Sequence, residues 1–193
     1  MRRFTVLLFS ILFAAGAVSA RAQVVAAATT RQFSITAGGM ASIFQPDFAD
    51  NWPPPYYMAA AGASNQPLLG VGAYVDVKLT RWVQIEAEGR WLRFNRYADI
   101  HQDNYLIGPR VPVYHFWRST VYAKALGGFS KMDFGDGESG KFTDLAFGGG
   151  MDVKLTKRLS LRAADFEYQY YPKWYNSSLS PYGASVGIGY KIF

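Results

Sequence analysis

The chain contains no cysteine. That excludes a disulfide framework, a thiolate metal site and lipid attachment at a lipobox cysteine. Histidine is scarce, with only His101 and His115, so there is little material for imidazole catalysis or metal ligation. Charged residues are 18 % of the 193, below the usual quarter for soluble domains. Beyond residue 22, no stretch approaches the roughly 20 apolar residues that a membrane helix needs. Basic residues are scattered rather than clustered, which argues against a nucleic-acid partner.

What is abundant is apolar and aromatic. Hydrophobic residues make up 50 %, aromatics 17 %, and there are 19 glycines. That mixture suits one β-rich domain with a large apolar surface. At the N-terminus, Arg2 and Arg3 precede the apolar run Phe4 to Ala15. Val18-Ser19-Ala20 and Ala20-Arg21-Ala22 both fit a small-x-small cleavage site. Residues 1–22 therefore read as a secretory signal peptide and 23–193 as the mature domain. Loss of Arg2, Arg3 and Arg21 would lower the formal net charge from +6 to +3.

The mature part alternates. Val83, Ile85, Ala87, Gly89 and Trp91 interleave with Gln84, Glu86, Glu88 and Arg90. This is a period of two with one apolar and one charged face, the signature of a strand. Leu69 to Lys78, Leu145 to Lys154 and Ala184 to Lys191 repeat it. The pentapeptide "DVKLT" occurs twice, at Asp76–Thr80 and Asp152–Thr156. Each copy reads as the tail of a strand leading into a tight antiparallel turn.

Extending this pattern predicts strands near 32–43, 67–78, 82–94, 104–115, 119–132, 142–154, 159–171 and 182–193. Short links at 79–81, 116–118 and 155–158 alternate with longer ones near 44–66, 95–103, 133–141 and 172–181, which hold "NWPPPYY" and "FGDGESG". One end carries short turns and the other four loops, as in outer-membrane barrels. Two features interrupt the pattern. Pro109 and Pro112 lack ladder donors in the fourth strand, so a bulge or break is expected there. Ala163-Ala164 shifts the apolar set from odd to even positions, which one bulge would restore.

Aromatics gather at strand ends. Phe44, Trp91, Phe94, Tyr97, Tyr105, Phe129, Phe134, Phe142, Tyr168, Tyr170 and Tyr182 fall near the loops; Trp82, Phe116, Trp117, Tyr190 and Phe193 fall near the turns. Two girdles flanking an aliphatic band are what membrane interfaces select. Alternation alone also fits a soluble lipocalin-type barrel with the apolar face inward. The signal peptide, the girdles and a final strand ending at Phe193 favour lipid on the apolar face.

The fold expected is therefore all-β, an eight-stranded antiparallel up-and-down transmembrane β-barrel. Its polar face then lines a narrow lumen filled by side chains. Asp76, Glu86, Glu88, Arg90, Arg110, Lys124, Asp152, Arg162, Asp165 and Glu167 are the candidates for an interior polar network, where unpaired charges would cost several kcal/mol each. No catalytic, cofactor-binding or metal site is expected. His115 near Ser119 has no acid close in sequence, and Asp99, His101 and Asp103 read as a solvated loop.

The chain resembles the outer-membrane β-barrel family that includes the OmpA-type transmembrane domain. The resemblance rests on the "GVGAYVDVKLTRWVQIEAEGRW" and "FGGGMDVKLTKRLSLRAADFEYQYY" hairpins and the closing "YGASVGIGYKIF". Phe193 departs from the pattern, falling on the face opposite Val186, Ile188 and Tyr190. The resemblance implies location in the cell outer membrane, contact with its lipids, and recognition by the barrel-assembly machinery through the C-terminal strand. A structural, membrane-integrity or surface-interaction role follows, with four extracellular loops, of which "NWPPPYY" together with Trp174 and Tyr175 on the fourth loop would be the contact surface for a ligand. Two alternatives stay open: a lipid-modifying enzyme using His101 or His115, and a narrow channel.

Overall fold

A computed structural model describes residues 33–46, 67–94, 100–134, 138–174 and 177–193. Nine strands form among the described residues: β1 (Ser34–Gln45), β2 (Leu68–Lys78), β3 (Gln84–Phe94), β4 (His101–Phe116), β5 (Ser119–Phe134), β6 (Glu138–Lys154), β7 (Leu159–Trp174), β8 (Ser177–Leu179) and β9 (Tyr182–Lys191). Each long strand pairs antiparallel with the next, and β9 pairs with both β7 and β1. The sheet thus closes into an eight-stranded ring, with β8 a short hairpin arm on the extension of β7. Closure pairs each of the eight long strands on both sides, the β arrangement that hydrocarbon tolerates.

The period-two pattern becomes the two faces of this wall. Val71, Val75, Ile107, Phe147, Val186 and Ile188 are exposed outward. Glu86, Arg90, Arg162, Asp165 and Glu167, on the alternate positions, are at most 3 % exposed and line the lumen. The usual arrangement of a soluble domain is inverted. An apolar band this extensive would drive association in water; in a membrane, lipid solvates it.

Both irregularities foreseen in the sequence occur. The β4–β5 register shifts between Pro112 and Tyr114, beside the proline that cannot donate to the ladder. The β6–β7 register shifts between Met151 and Asp152, opposite Ala164 and Arg162. The extra residue, Ala163, keeps Arg162 and Asp165 on the same inner face although their numbers differ by three.

The repeated pentapeptide builds the same turn twice. Leu79 and Thr80 donate to the Val83 carbonyl at 3.2 and 3.1 Å; Leu155 and Thr156 donate to the Leu159 carbonyl at 3.0 and 3.1 Å. In each, the threonine hydroxyl accepts two backbone N–H groups, from Trp82 and Val83 and from Arg158 and Leu159. The third turn, Trp117-Arg118, places Trp117 at φ 49°, an uncommon conformation for a side chain of this size. Arg118 pins it to the neighbouring turn by donating to the carbonyls of Lys154 and Leu155.

Several expectations need correction. β9 ends at Lys191, not Phe193: the last ladder contact is Ile192 N–H to the Ile35 carbonyl at 2.8 Å, and β1 begins at Ser34, so Phe193 has no partner strand among the described residues. Two expected loops are largely hairpin. β5 and β6 stay paired out to Phe134 and Glu138, so most of 133–141 is strand. β7 reaches Trp174 and pairs with β8 across much of 172–181. Phe44 is buried in the lumen with Leu68 and Leu92, and Phe142 packs on an interior cluster. Neither belongs to the outer girdle. The remaining described aromatics of the loop-end set include exposed Phe94, Phe129, Tyr168 and Tyr182, and the turn end exposes Trp82, Phe116, Trp117 and Tyr190. Residues 1–22, Tyr97, "NWPPPYY" and Tyr175 lie outside the described residues.

Candidate functional site

The most organised chemistry is inside the barrel. Four cations and six carboxylates from β2 to β7 form a belt across the lumen, and they are the ten residues named from the sequence. Each cation touches several carboxylates, so the belt ties together strands that share no ladder.

Lys124 on β5 is its hub. Its ammonium lies 3.2 Å from Glu86, 3.1 Å from Glu88, 2.8 Å from Asp165 and 2.9 Å from Glu167. Glu86, Glu88 and Asp165 are close enough together to hold a metal ion, but the Lys124 ammonium already stands among them. The arrangement carries its own cation. Toward the loops, Arg90 forks onto both oxygens of Glu167 at 2.5 and 3.0 Å and reaches Glu88 at 3.1 Å. Toward the turns, Arg162 forks onto Glu86 at 3.1 and 3.0 Å and bonds Asp76 at 3.0 Å. Arg110 bridges Asp76 and Asp152. Such bidentate geometry suits the planar guanidinium.

Aromatic rings hold the guanidiniums flat. Arg162 lies 3.6 Å from the Tyr74 ring centre, Arg110 3.6 Å from that of Tyr122 and Arg90 4.8 Å from that of Phe44. In this low-dielectric setting cation–π contact is at its strongest. Glycines make room for the rings. A side chain at Gly38 would meet the Tyr74 ring; a Cβ at Gly189 would come 2.7 Å from its hydroxyl, and one at Gly150 2.6 Å from that of Tyr122. The inward glycines of the alternating runs are the spaces these tyrosines fill.

Above the belt, an uncharged chain continues toward the loop end. Gln169 donates to Glu167 at 2.8 Å, Asn104 to Gln169 at 2.9 Å, Gln102 to Asn104 at 3.0 Å, and Ser130 to Asn104 at 2.8 Å. The Tyr171 hydroxyl meets Gln169 at 2.7 Å and Ser130 at 3.2 Å. An apolar cluster of Ile100, Met132, Tyr171 and Leu179 sits over this chain, with Phe142 against it. Leu179, on the β8 arm, is fully buried there. None of these uncharged residues is evident as a site in the sequence. Their parity with the charged set is the signal that could have found Asn104, Ser130, Gln169 and Tyr171. Leu179 has no such signal, since the β8 arm follows no alternation.

Below the belt, the lumen opens into a vestibule of about 380 Å³ at the turn end, with Asp76, Arg110, Tyr122 and Asp152 in its lining.

A sequence profile of the outer membrane protein beta-barrel domain matches residues 10–191. The chain belongs to this family. The fold agrees with those of outer-membrane barrels already solved. OprG from Pseudomonas aeruginosa superposes with a TM-score of 0.55 at 12 % identity, covering 83 % of this chain and 96 % of that one. Neisserial surface protein A (NspA) gives 0.54 at 14 %, covering 82 % and 96 %. The N-terminal barrel domain of OprF from Pseudomonas aeruginosa gives 0.53 at 14 %, covering 83 % and 100 %. At these identities the likeness is one of fold. No curated protein matches the chain. Membership of the outer-membrane β-barrel family identifies the medium around the exposed aliphatic band as outer-membrane lipid.

Within this family barrel the two histidines stand at opposite ends. His101 opens β4 at the loop end, whereas His115 lines the turn-end vestibule. Asp103 is held by Arg93, at 3.1 Å through Nε and 2.5 Å through Nη2, which commits that carboxylate to a partner. Ser119 pairs in the ladder with Phe116, and His115 with Thr120.

Proposed function

We propose that this chain is a structural barrel of the outer membrane, exported by a signal peptide cleaved within 1–22. In this reading its interior is plugged, and its loop end, facing outward, supplies the surface for contacts. The observation that carries the reading is the Lys124-centred belt with the polar chain and apolar cluster stacked above it. Charges that bridge β2, β3, β4, β5, β6 and β7 across the lumen brace the wall from inside, and they occupy the cross-section that a solute would need.

Two functions weighed from the sequence fit this architecture less well. A conducting pore requires a continuous wet path, and the cluster of Ile100, Met132 and Leu179 lies across it. A lipid-modifying enzyme requires a base next to a nucleophile and an acid; His101 and His115 are remote from each other, and Asp103 is engaged by Arg93. The C-terminal strand is then the segment offered to the barrel-assembly machinery, through Val186, Ile188 and Tyr190 on its outer face.

Single-channel recording of the purified protein in a planar bilayer tests the reading. Silence over long recordings is expected. Steady unitary conductance would overturn the plugged interior. In parallel, His101→Ala and His115→Ala should leave the lipid A profile unchanged, and the mass of the protein recovered from outer membranes should show loss of 20 or 22 residues.

A further inference from the structure

The vestibule at the turn end differs from the rest of the lumen. The belt holds six carboxylates against four cations, whereas cations predominate at the rim. Lys78 ends β2, Lys154 ends β6, Lys191 ends β9, and Lys157 and Arg158 occupy the 155–158 turn; all five line the same cavity. The two carboxylates in its lining, Asp76 and Asp152, are turned to Arg110 and Arg162, so they neutralise the belt rather than the rim. Lys154, Lys157 and Lys191 form no ion pair among the described residues. Thr36, Thr120 and Ser160 also line the cavity, and threonine hydroxyls can donate to an anion there.

We propose that this vestibule binds a phosphoryl group, either a phospholipid headgroup or a soluble phosphate ester. Ammonium groups act as point charges for phosphate and do not demand a fixed fork geometry. Three lysines from three different strand ends can therefore converge on one anion. The cavity of about 380 Å³ falls in the range of small-molecule sites and exceeds what a bare phosphate fills, so a substituted phosphate fits better. Exposed Trp82, Phe116 and Trp117 surround the same end, and such rings settle at the headgroup level. The vestibule mouth thus lies where lipid phosphates are concentrated.

The refolded full barrel in amine-oxide detergent micelles, which contain no phosphorus, provides the test. Inorganic phosphate and glycerol 3-phosphate are titrated while backbone amide resonances are followed. Saturable shifts confined to 154–160, Lys78 and Lys191 are expected, with none from chloride at matched ionic strength. The double variant Lys154→Gln/Lys191→Gln should bind at least about tenfold more weakly while keeping its heat-modifiable mobility. Should that variant fail to fold, Lys157→Gln, which alters only an exposed turn residue, replaces it and should weaken binding in the same direction. Absent saturation, equal shifts from chloride, or unaltered binding in the folded variant would overturn the proposal. The same phosphorus-free micelles with and without added phosphatidic acid separate the two sources. If the doped micelles abolish the response to soluble phosphate, the occupant is the headgroup; if the response persists, it is a soluble phosphate ester. The outcome is independent of the conductance experiment, because a plugged interior and an occupied vestibule are separate properties.

Discussion

Asp76 and Asp152, the first residues of the two "DVKLT" copies, meet at one guanidinium: Arg110 bonds both carboxylates. The repeat therefore serves two levels of structure. Its threonine closes a turn in each copy, and its aspartate enters the lumen from β2 in one case and β6 in the other. The pairing joins opposite parts of the wall that no ladder connects. It also sets the turn-side limit of the belt, below which Lys154, Lys157 and Lys191 pair with no carboxylate among the described residues.

Removing the hub should be the most damaging interior change. Lys124→Met leaves Glu86, Glu88, Asp165 and Glu167 facing one another without the ammonium that bonds all four. A loss of about 3–5 kcal/mol is expected from breaking buried pairs this way. Urea unfolding in detergent, followed by the heat-modifiable band, measures it. Adding Glu88→Gln should restore part of the loss; a double variant less stable than the single one would contradict the belt as the source.

The tyrosine–glycine contacts should show as intolerance of small additions. Gly38→Ala pushes a methyl into the Tyr74 ring and should cost about 1–3 kcal/mol, the usual range for overpacking. Ala41→Gly on the same strand faces outward and should stay under about 1 kcal/mol. Thermal midpoints of the two variants in one detergent make the comparison, and equal effects would argue against the ring packing.

The outer face should respond to charge according to depth. Ile107, 60 % exposed and near the middle of β4, should cost about 2–4 kcal/mol as Ile107→Arg. Leu155→Arg, in a turn, should cost about 0–1 kcal/mol. Folding titrations into lipid vesicles give both numbers. A flat profile with depth would mean that water, not lipid, contacts this face.

Each turn threonine accepts two backbone N–H groups, at 3.2 and 3.0 Å for Thr80 and at 3.2 and 2.9 Å for Thr156. Thr80→Val and Thr156→Val should each cost about 0.5–1.5 kcal/mol. The turns belong to different hairpins, so the double variant should be close to additive. Kinetic unfolding in urea reads this, and strong non-additivity would indicate that the two turns are coupled through the rim.

Much of the barrel is legible in the sequence because a strand presents its two faces in strict alternation. Val71 and Val75 against Asp76, or Ile85 against Glu86 and Glu88, assign the wall's two surfaces without any coordinates. Some of its faults are readable: Pro112 lacks a donor, and Ala163-Ala164 breaks parity, so those two bulges could be foreseen, whereas the shift between Leu69 and Val71 could not. Phe44, Phe142, Leu92 and Leu179 were not, because an apolar residue on the inner face looks the same in one dimension as one on the outer face near a strand end. Their burial follows from what stands opposite them in the closed ring.

The amino-acid order by itself determined the eight long strands, two of the bulges, the three short turns and which charged side chains share one face, since each depends on neighbours within a few positions. Only the closed tertiary structure decided who meets whom across the lumen. Arg90 and Glu167 are 77 residues apart and Arg162 and Asp76 are 86 apart. Contact between such pairs depends on ring closure and strand stagger, which periodicity does not encode. The same closure gathers Lys78, Lys154 and Lys191, the ends of three strands, around one cavity.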